Sequence, residues 1–267
     1  MVVAFSGGVD SALVLAAAVR ALGRDRVTAA TAVSAAVSAR ERAAAAALAA
    51  GLGVEHRLIA TDELARDGYR ANGRDRCYFC KSELFDALAA ALPAERGTVC
   101  TGTNADDVHD PFRPGLRAGR EHAVGTPLAD TGLTKDRVRR LARHWQLPVA
   151  EKPAQPCLAS RIAYGVPVSA AALGAVERAE TAVRRLLVLR GHPVHELRVR
   201  RLADRVRIEL DATSLAAFPD PADPRLAALL ARCGFGPVTV ELAPFRSGGL
   251  NLLPVHRPGA AAPTSAQ

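Results

Sequence analysis

The sequence predicts an α/β fold, a doubly wound parallel sheet, followed by a second, smaller α+β domain. Three observations predict this fold class. Short apolar segments alternate with helical segments over residues 1–150, and a glycine-rich turn at 6–11 joins the first apolar segment to the first helix. After 151–168 the pattern changes to two segments that alternate apolar and charged residues. Because strand–helix–strand units cross over right-handed, we expect a parallel sheet with its ligand site at the strand C-termini.

The elements of the first domain follow in order along residues 1–150. Each predicted strand is a short run rich in apolar or β-branched residues: 2–5, 26–33, 54–59 and 98–103. The predicted helices are rich in alanine or have one apolar face: 12–19, 38–52, 82–92 and 134–147.

The second domain is predicted at 169–253, after a proline-marked connection at 151–168. Its predicted elements are a long helix, two alternating strands, a shorter helix and a last strand: 169–190, 195–202, 205–210, 224–233 and 237–242. The tail at 254–267 is rich in Ala, Pro and Ser and is predicted to be disordered.

Composition limits the classes of function. The chain has 35 Lys and Arg against 27 Asp and Glu, a net charge of +8, which suits phosphate-bearing or acidic ligands and does not exclude RNA. A run of about 18 apolar residues, which would span a membrane, is absent from the sequence, as is a signal peptide, so we predict a cytoplasmic protein. Five cysteines in such a protein indicate metal binding or catalysis before disulfides.

The stretch Ser6-Gly7-Gly8-Val9-Asp10-Ser11 lies between the first strand and the first helix. Two glycines let several backbone N–H groups point into one concavity at a helix N-terminus, which favours an anion. We predict that Gly7, Gly8 and Val9 bind the phosphates of a ligand through these N–H groups, with help from the Ser6 and Ser11 hydroxyls. Asp10 is predicted to hold Mg²⁺. No Lys-Ser/Thr pair follows the glycines, so this is not a Walker A loop; the alternative is a turn without a ligand.

Cys77 and Cys80 form a Cys-x-x-Cys pair whose spacing lets both sulfurs bind one metal centre. An Fe–S cluster, a zinc knuckle, a redox dithiol and two core thiols all remain open on this spacing. Cys100, within an apolar strand, is predicted to belong to the core, and Cys233 is predicted to end a helix.

Polar side chains follow the fourth strand, where a parallel sheet binds its ligand. Asp106 or Asp107, beside Asn104, could hold Mg²⁺ on the pyrophosphate; the alternative is a helix-capping turn. Arg113 and Arg117 could reach phosphates or lie in solvent.

In the second domain, strand alternation predicts that Arg198, Arg200, Arg207 and Glu209 share one face of the sheet. The opposite face would carry Val199, Val206 and Ile208. The charged face is either solvated or an arginine cluster that binds the phosphate and carboxylate of a substrate.

Several segments in this order resemble one family. They are 6–11, the Arg-Cys-Tyr-Phe-Cys-Lys run at 76–81, 102–107, 112–117, 152–161 and 245–251. Together they resemble the LarE-like ATP-dependent sulfur transferases that mature the nickel-pincer cofactor of lactate racemase. The first loop alone is common to the whole PP-loop ATP pyrophosphatase superfamily. The chain departs from the family at Gly248-Gly249 and at its N-terminus, where a preceding helix is expected to be missing.

The resemblance implies a function. Members adenylate a carboxylate of a pyridinium dicarboxylate mononucleotide with ATP and then insert sulfur to give a thiocarboxylate, often as homohexamers. It places Cys157 in the active site, and Lys152 and Arg161, which flank it in the sequence, would stabilise a thiolate and developing phosphate charge. Arg198, Arg200 and Arg246 would bind the mononucleotide.

Two sulfur sources are known for such relatives, namely one sacrificed cysteine or a sulfide carried on an iron–sulfur cluster. Because a sacrificial Cys157 would leave Cys77 and Cys80 without a purpose, we predict a 4Fe–4S cluster on these three residues, with sulfide as a replaceable donor. A tRNA thiolase and a sulfide carrier without turnover are the competing functions. The sequence shows no added RNA-binding module, so we do not expect nucleic acid as a partner.

Overall fold

The computed structural model describes residues 1–92, 97–110, 113–218, 220, 222–253 and 255–256. The chain divides into two compact units. Unit 1 comprises Met1–Tyr69 and Arg74–Cys157, and unit 2 comprises Arg70–Gly73 and Leu158–Gln267. In this part of the chain, helices are all too short or too polar to cross a membrane. The predicted tail at 254–267 lies outside the described residues, apart from Val255 and His256.

Unit 1 contains a four-stranded, wholly parallel sheet in the order β3-β2-β1-β4. Its strands are β1 (Val2–Ala4), β2 (Thr28–Val33), β3 (Glu55–Ala60) and β4 (Val99–Cys100). Its helices are α1 (Val9–Leu22), α2 (Ala39–Gly51), α3 (Asp67–Arg70), α4 (Arg76–Ala91), α5 (Ala105–Val108), α6 (Gly115–Glu121), α7 (Pro127–Asp130) and α8 (Lys135–His144). The predicted α/β class is confirmed.

Both faces of this sheet are covered. Val3 of β1 packs with α1 and α8 in one apolar cluster, whereas Val2 packs with α4 and α6 in another. Successive side chains of a strand point to opposite faces, so the apolar run of β1 contributes to two cores. Strand β1 lies between β2 and β4 in the sheet, and its C-terminal end leads into the loop at 6–11.

The structure corrects the predicted start of α4. The sequence predicts a helix from Ser82, but α4 begins at Arg76, so Cys77 and Cys80 lie on its first turns. The polar run at 74–81 resembles a loop because its apolar residues are few, whereas Tyr78 packs against one of the two cores. Cys100 is buried in β4, as predicted.

Unit 2 contains a three-stranded sheet in the order β5-β6-β7, in which β5 (Leu197–Arg201) and β6 (Arg205–Leu210) are antiparallel. Strand β7 (Thr239–Pro244) runs parallel to β6. Three helices complete the unit: α9 (Ala170–Leu189), α10 (Ala212–Ala216) and α11 (Pro224–Arg232). Ser169 caps α9 by accepting a hydrogen bond from Ala172 N, and Cys233 ends α11, as predicted.

Candidate active site

The loop Ser6–Ser11 joins β1 to the N-terminus of α1. Gly7 has a φ of +70°, and a Cβ atom there would lie 3.0 Å from the Cβ of Ala45, so this position favours glycine. Gly8 is the N-cap of α1 and has no side chain to satisfy the first-turn N–H groups. The loop therefore presents backbone donors at the positive end of a helix dipole, which is the arrangement that binds phosphate.

The two serine hydroxyls of the loop bind the loop itself. Ser11 Oγ donates to the Gly8 carbonyl at 3.1 Å and accepts from the Ser6 amide at 3.3 Å. Ser6 Oγ accepts from the Gly8 amide at 3.4 Å. The hydroxyls fix the shape of the loop, and the phosphate contacts predicted for them stay predictions.

Asp10, at the start of α1, is bonded on both carboxylate oxygens. Lys135 Nζ lies 2.5 Å from Oδ2, and Asn104 Nδ2 donates to Oδ1 at 3.1 Å. The backbone N–H of Lys135 also donates to Asp106 Oδ2 at 2.8 Å. One lysine thus lies beside two of the carboxylates for which the sequence predicts a role in magnesium binding.

Asn104, Asp106 and Asp107 form the capping turn of α5. Asn104 Oδ1 accepts from the amides of Asp106 and Asp107, and Asp107 Oδ2 accepts in return from the Asn104 amide at 3.2 Å. Arg113 pairs with Asp107 at 2.6 Å and with Asp110 at 3.3 Å. These residues therefore form the helix-capping turn that the sequence offered as an alternative, and a role in magnesium binding stays a prediction.

Arg117 lies over the ring of Tyr78, with its guanidinium carbon 3.8 Å from the ring centroid. It also pairs with Glu121 at 3.5 Å. The contact with Tyr78 joins α6 to α4, whereas the pair with Glu121 lies within α6.

Lys152 reaches the phosphate-loop candidate from the end of unit 1. Its Nζ donates to the Gly7 carbonyl at 3.2 Å and pairs with Glu41 at 2.6 Å. Arg139 holds the segment in place by donating to the carbonyls of Ala150 and Lys152. A cation at this position faces the loop that would carry the phosphates.

Cys77, Cys80 and Cys157, hereafter the thiol triad, all belong to unit 1. Burial, followed by the nearby sulfur of Cys157, raises the pKa of the Cys77 thiol, and Cys157 likewise contributes to the raised pKa of Cys80. Both shifts favour the protonated thiols. Thiols become thiolates when they bind a metal centre, so the donor set is of the right chemical kind.

The described residues include no group of three His, Cys, Asp or Glu side chains that could hold one metal ion. The finding applies to the thiol triad too, so it supports neither a zinc knuckle nor the predicted 4Fe–4S cluster, and the cluster stays a prediction.

Arg76 is a cation at the triad that the sequence prediction missed. It is buried, opens α4 and hydrogen-bonds Cys77, where its charge lowers the thiol pKa against the effect of burial. Its position directly before the Cys-x-x-Cys pair was the available signal. Lys135 was given no role in the predicted site, although it stands out in the sequence as one of only three lysines, with Lys81 and Lys152.

The arginine face of unit 2, defined as Arg198, Arg200, Arg207 and Glu209, has the predicted alternation. Val199, Val206 and Ile208 are fully buried on the opposite side. Arg198 and Arg200 are only 4% exposed, so the idea of a solvated face is wrong for these two residues.

Each buried arginine of this face already has partners. Arg200 makes a bidentate pair with Glu209 at 2.6 and 2.7 Å and donates to the Ser160 carbonyl at 3.0 Å. Arg198 donates to the Leu197 carbonyl at 2.8 Å and lies 5.2 Å from the ring centroid of Phe245. Burial, followed by the charge of Arg161, lowers the pKa of Arg198.

Arg161 and Arg246 differ in burial and in their ion pairs. Arg161 is buried and pairs with Glu180, with Nε 2.9 Å from a carboxylate oxygen, and it donates to Ser160 Oγ at 3.0 Å. Arg246 is exposed, and among the described residues its side chain has no ion pair. The structure therefore places Arg161 within a buried network and leaves Arg246 accessible to a ligand.

Comparisons with known proteins identify relatives of this chain. The family model for NAD synthase matches residues 1–74, which contain the loop at 6–11. An uncharacterised protein of Synechocystis is 41% identical over 251 residues, covering 93% of this chain and 91% of the relative. The pyridinium-3,5-bisthiocarboxylic acid mononucleotide synthase of Lactiplantibacillus plantarum is 36% identical over 251 residues, covering 93% and 88%. A Methanocaldococcus jannaschii protein is 32% identical over a shorter stretch of 114 residues.

Proposed function

The chain belongs to the LarE-like family of pyridinium-3,5-bisthiocarboxylic acid mononucleotide synthases, and on this premise we propose how its residues perform the reaction. It is an ATP-dependent sulfur transferase of nickel-pincer nucleotide biosynthesis. The observation that carries this function is the presence, in one compact unit, of the loop Ser6–Ser11 and the thiol triad.

The first half-reaction forms an acyl-adenylate. A carboxylate oxygen of the pyridinium dicarboxylate mononucleotide attacks the α-phosphorus of ATP, and pyrophosphate leaves. We assign the pyrophosphate to the backbone N–H groups of Gly7, Gly8 and Val9. Lys135 and Lys152, which lie beside this loop, would stabilise the charge that develops on it.

Magnesium would enter at Asp10. Its carboxylate now binds Lys135 and Asn104, so we expect Lys135 to transfer its contact from Asp10 to a phosphate oxygen when Mg-ATP binds. Asp106 accepts a hydrogen bond from the backbone N–H of Lys135, and we propose it as a second carboxylate for the magnesium ion.

The second half-reaction transfers sulfur. A sulfur nucleophile adds to the acyl carbon, the bond from that carbon to the AMP oxygen breaks, and a thiocarboxylate results. A four-iron cluster bound by Cys77, Cys80 and Cys157 would supply a replaceable sulfide as this nucleophile. Arg76, buried beside Cys77, would offset the negative charge of the sulfurs. Lys152 and Arg161, which the sequence suggested for that task, have the partners Glu41 and Glu180.

We assign substrate binding to Arg246, with Arg198 and Arg200 as the positively charged base of the site. Arg246 is exposed and can move to an anion, whereas the guanidinium of Arg200 is held by Glu209 and Ser160. A cytoplasmic location and a homo-oligomer, as in hexameric relatives, remain part of this proposal.

The sulfur source is tested by purifying the protein without oxygen and measuring iron, sulfide and product per chain. We expect bound iron and several turnovers when sulfide is supplied. Cys77→Ser should lose both, because it removes a ligand, whereas Cys233→Ser, a buried cysteine of unit 2, should lose neither.

A sacrificial mechanism gives the opposite pattern. The parent protein would stop after one turnover with Cys157 lighter by one H₂S, and Cys77→Ser would still complete that single turnover. Failure of the mononucleotide to elicit pyrophosphate release from ATP would contradict the function itself.

A further inference from the structure

Three basic side chains of α8 follow one another at one-turn intervals along the same face of that helix. They are Lys135, Arg139 and Arg143, each four residues after the last. Val138 and Ala142, both fully buried, pack α8 into the apolar cluster that also contains residues of α1 and β1. Because the core fixes the helix in this way, the three basic side chains start from a rigid frame.

Lys135 and Arg139 make contacts of different kinds. Lys135 Nζ lies 2.5 Å from Asp10 Oδ2, so it contacts the loop at 6–11 directly. Arg139 uses two nitrogens of its guanidinium: Nη1 donates to the Ala150 carbonyl at 2.5 Å, and Nη2 donates to the Lys152 carbonyl at 3.1 Å. Two donors in one planar group fix the orientation of the backbone as well as its distance.

The backbone that Arg139 holds carries the second lysine beside the loop. The Lys152 amide donates to the Val149 carbonyl at 3.0 Å, and Ala150 is buried in the cluster that contains α1. From this turn the side chain of Lys152 reaches the Gly7 carbonyl at 3.2 Å. A lysine side chain is a flexible four-carbon stem, so the place of its ammonium group depends on where its backbone is held.

We propose that Arg139 is a positioning residue for Lys152, so that α8 places both lysines beside the phosphate loop, Lys135 directly and Lys152 through Arg139. This inference rests on the proposed function, since it concerns the site assigned to ATP. Without Arg139, the backbone at 150–152 would lose two charge-assisted hydrogen bonds, and Lys152 would meet a phosphate in fewer of its conformations. Arg139 therefore acts on ATP through Lys152.

A role confined to stability has a different consequence. If Arg139 served only to close the turn after α8, any effect of its removal on ATP would be the same with or without Lys152. If it acts through Lys152, its removal should have no further effect once the ammonium group is gone. A direct electrostatic effect of Arg139 on the phosphates would also add to the loss of Lys152. A double-mutant cycle therefore separates positioning from both alternatives.

The test measures binding of an ATP analogue, with a methylene group between the α- and β-phosphorus, to the full chain in the presence of magnesium. Because this analogue cannot release pyrophosphate, calorimetry gives its affinity without turnover and without the mononucleotide. The cycle comprises the parent, Arg139→Met, Lys152→Met and the variant with both changes. Arg143→Met is the matched control, since Arg143 lies one turn further along α8 and pairs with Glu151 at 2.5 Å, where the two side chains are 50% and 72% exposed.

We expect Lys152→Met to weaken binding roughly ten- to hundredfold, the typical effect of losing one charge-assisted contact. Arg139→Met should weaken it about three- to thirtyfold, within the range of coupling between neighbouring residues. The variant with both changes should bind within about twofold of Lys152→Met, which is the scatter of independent effects. Arg143→Met should bind as the parent does.

Two results would overturn the inference and leave the proposed function intact. They are parental affinity in Arg139→Met, and a further loss in the double variant as large as that of Arg139→Met alone. A parent that did not bind the analogue would contradict the ATP site itself, and the inference with it.

Folding is controlled separately. The thermal midpoint of each variant is measured without ligand, and the titrations are carried out well below the lowest midpoint, so that a loss of affinity does not reflect unfolding. Should Arg139→Met not fold, Arg139→Gln, which keeps an N–H donor group on a shorter side chain, takes its place in the cycle and is judged by the same outcomes.

Discussion

The Lys135–Asp10 pair beside the phosphate loop of unit 1 is partly exposed, whereas the Arg200–Glu209 pair of the arginine face of unit 2 is buried. The side chains of Lys135 and Asp10 are 38% and 23% exposed. Arg200 and Glu209 are 5% exposed each and pair through two hydrogen bonds. An exposed pair exchanges partners at little cost, whereas a buried pair resists separation because either charge left alone would be unsolvated.

The difference separates two uses of charge in one chain. Lys135 and Lys152 have carboxylate partners that a phosphate can replace, so they suit a site that binds and releases ATP. The Arg200–Glu209 pair suits a surface that must keep its shape. The following predictions test whether exposure distinguishes the two roles, beginning with the largest effect.

Asp10→Ala should lower the rate of AMP formation from ATP by on the order of a thousandfold, because the loop loses its magnesium ligand and the partner that positions Lys135. Its unfolding free energy should change by no more than about 1 kcal/mol, since the pair is partly exposed. Pyrophosphate release and urea unfolding measure the two quantities. A variant that released pyrophosphate at the parental rate would show that Asp10 is not part of the ATP site.

Glu209→Ala should destabilise unit 2 by about 3–5 kcal/mol, because the guanidinium of Arg200 would stay buried without its carboxylate. Urea unfolding, followed by a probe in unit 2, measures the loss. Replacing both partners, as Arg200→Met with Glu209→Leu, should restore much of the stability but not the binding of the mononucleotide. A loss as small as that of Asp10→Ala would remove the distinction between the two regions.

The sequence predicted what depends on neighbouring residues. The glycines of the loop at 6–11, the order of the strands and longer helices, and the alternation along β5 and β6 follow from local patterns, and the structure has all three; the short helices α3, α5, α6, α7 and α10 were not predicted. The helix-capping turn at Asn104, which the sequence offered as the alternative to a magnesium site, also follows from a local pattern.

The partners of the site residues could not be predicted, since they are distant in sequence. Lys135 is 125 residues from Asp10, and Lys152 is 111 residues from Glu41. Burial of Arg76 and Tyr69 also depends on packing between segments, which strand and helix patterns do not encode. A charged residue gives the same local signal whether it lies in solvent or in a buried pair.

The smallest expected effect concerns His122, which links α6 to α4 in unit 1. Its Nδ1 lies 2.8 Å from the Ala118 carbonyl, and its Nε2 lies 3.0 Å from Asp86. Both neighbours are acceptors, so only the protonated ring can donate to both. Burial opposes protonation, but these two hydrogen bonds outweigh it and raise the pKa of His122 above its ordinary value of 6.5.

A raised folded-state pKa means that this stabilisation is complete below the pKa of the unfolded chain and is lost as pH rises through the folded pKa. The free energy of unfolding of unit 1, measured with urea, should therefore fall slightly from mildly acidic to mildly alkaline pH, by less than about 1 kcal/mol because Asp86 is largely exposed. His122→Gln should remove this slope, and added salt should reduce it. His122 and its partners Ala118 and Asp86 all lie in unit 1, so a probe in unit 2 should not report the same slope. An equal slope in both units, or one that survives His122→Gln, would assign the pH dependence to other groups.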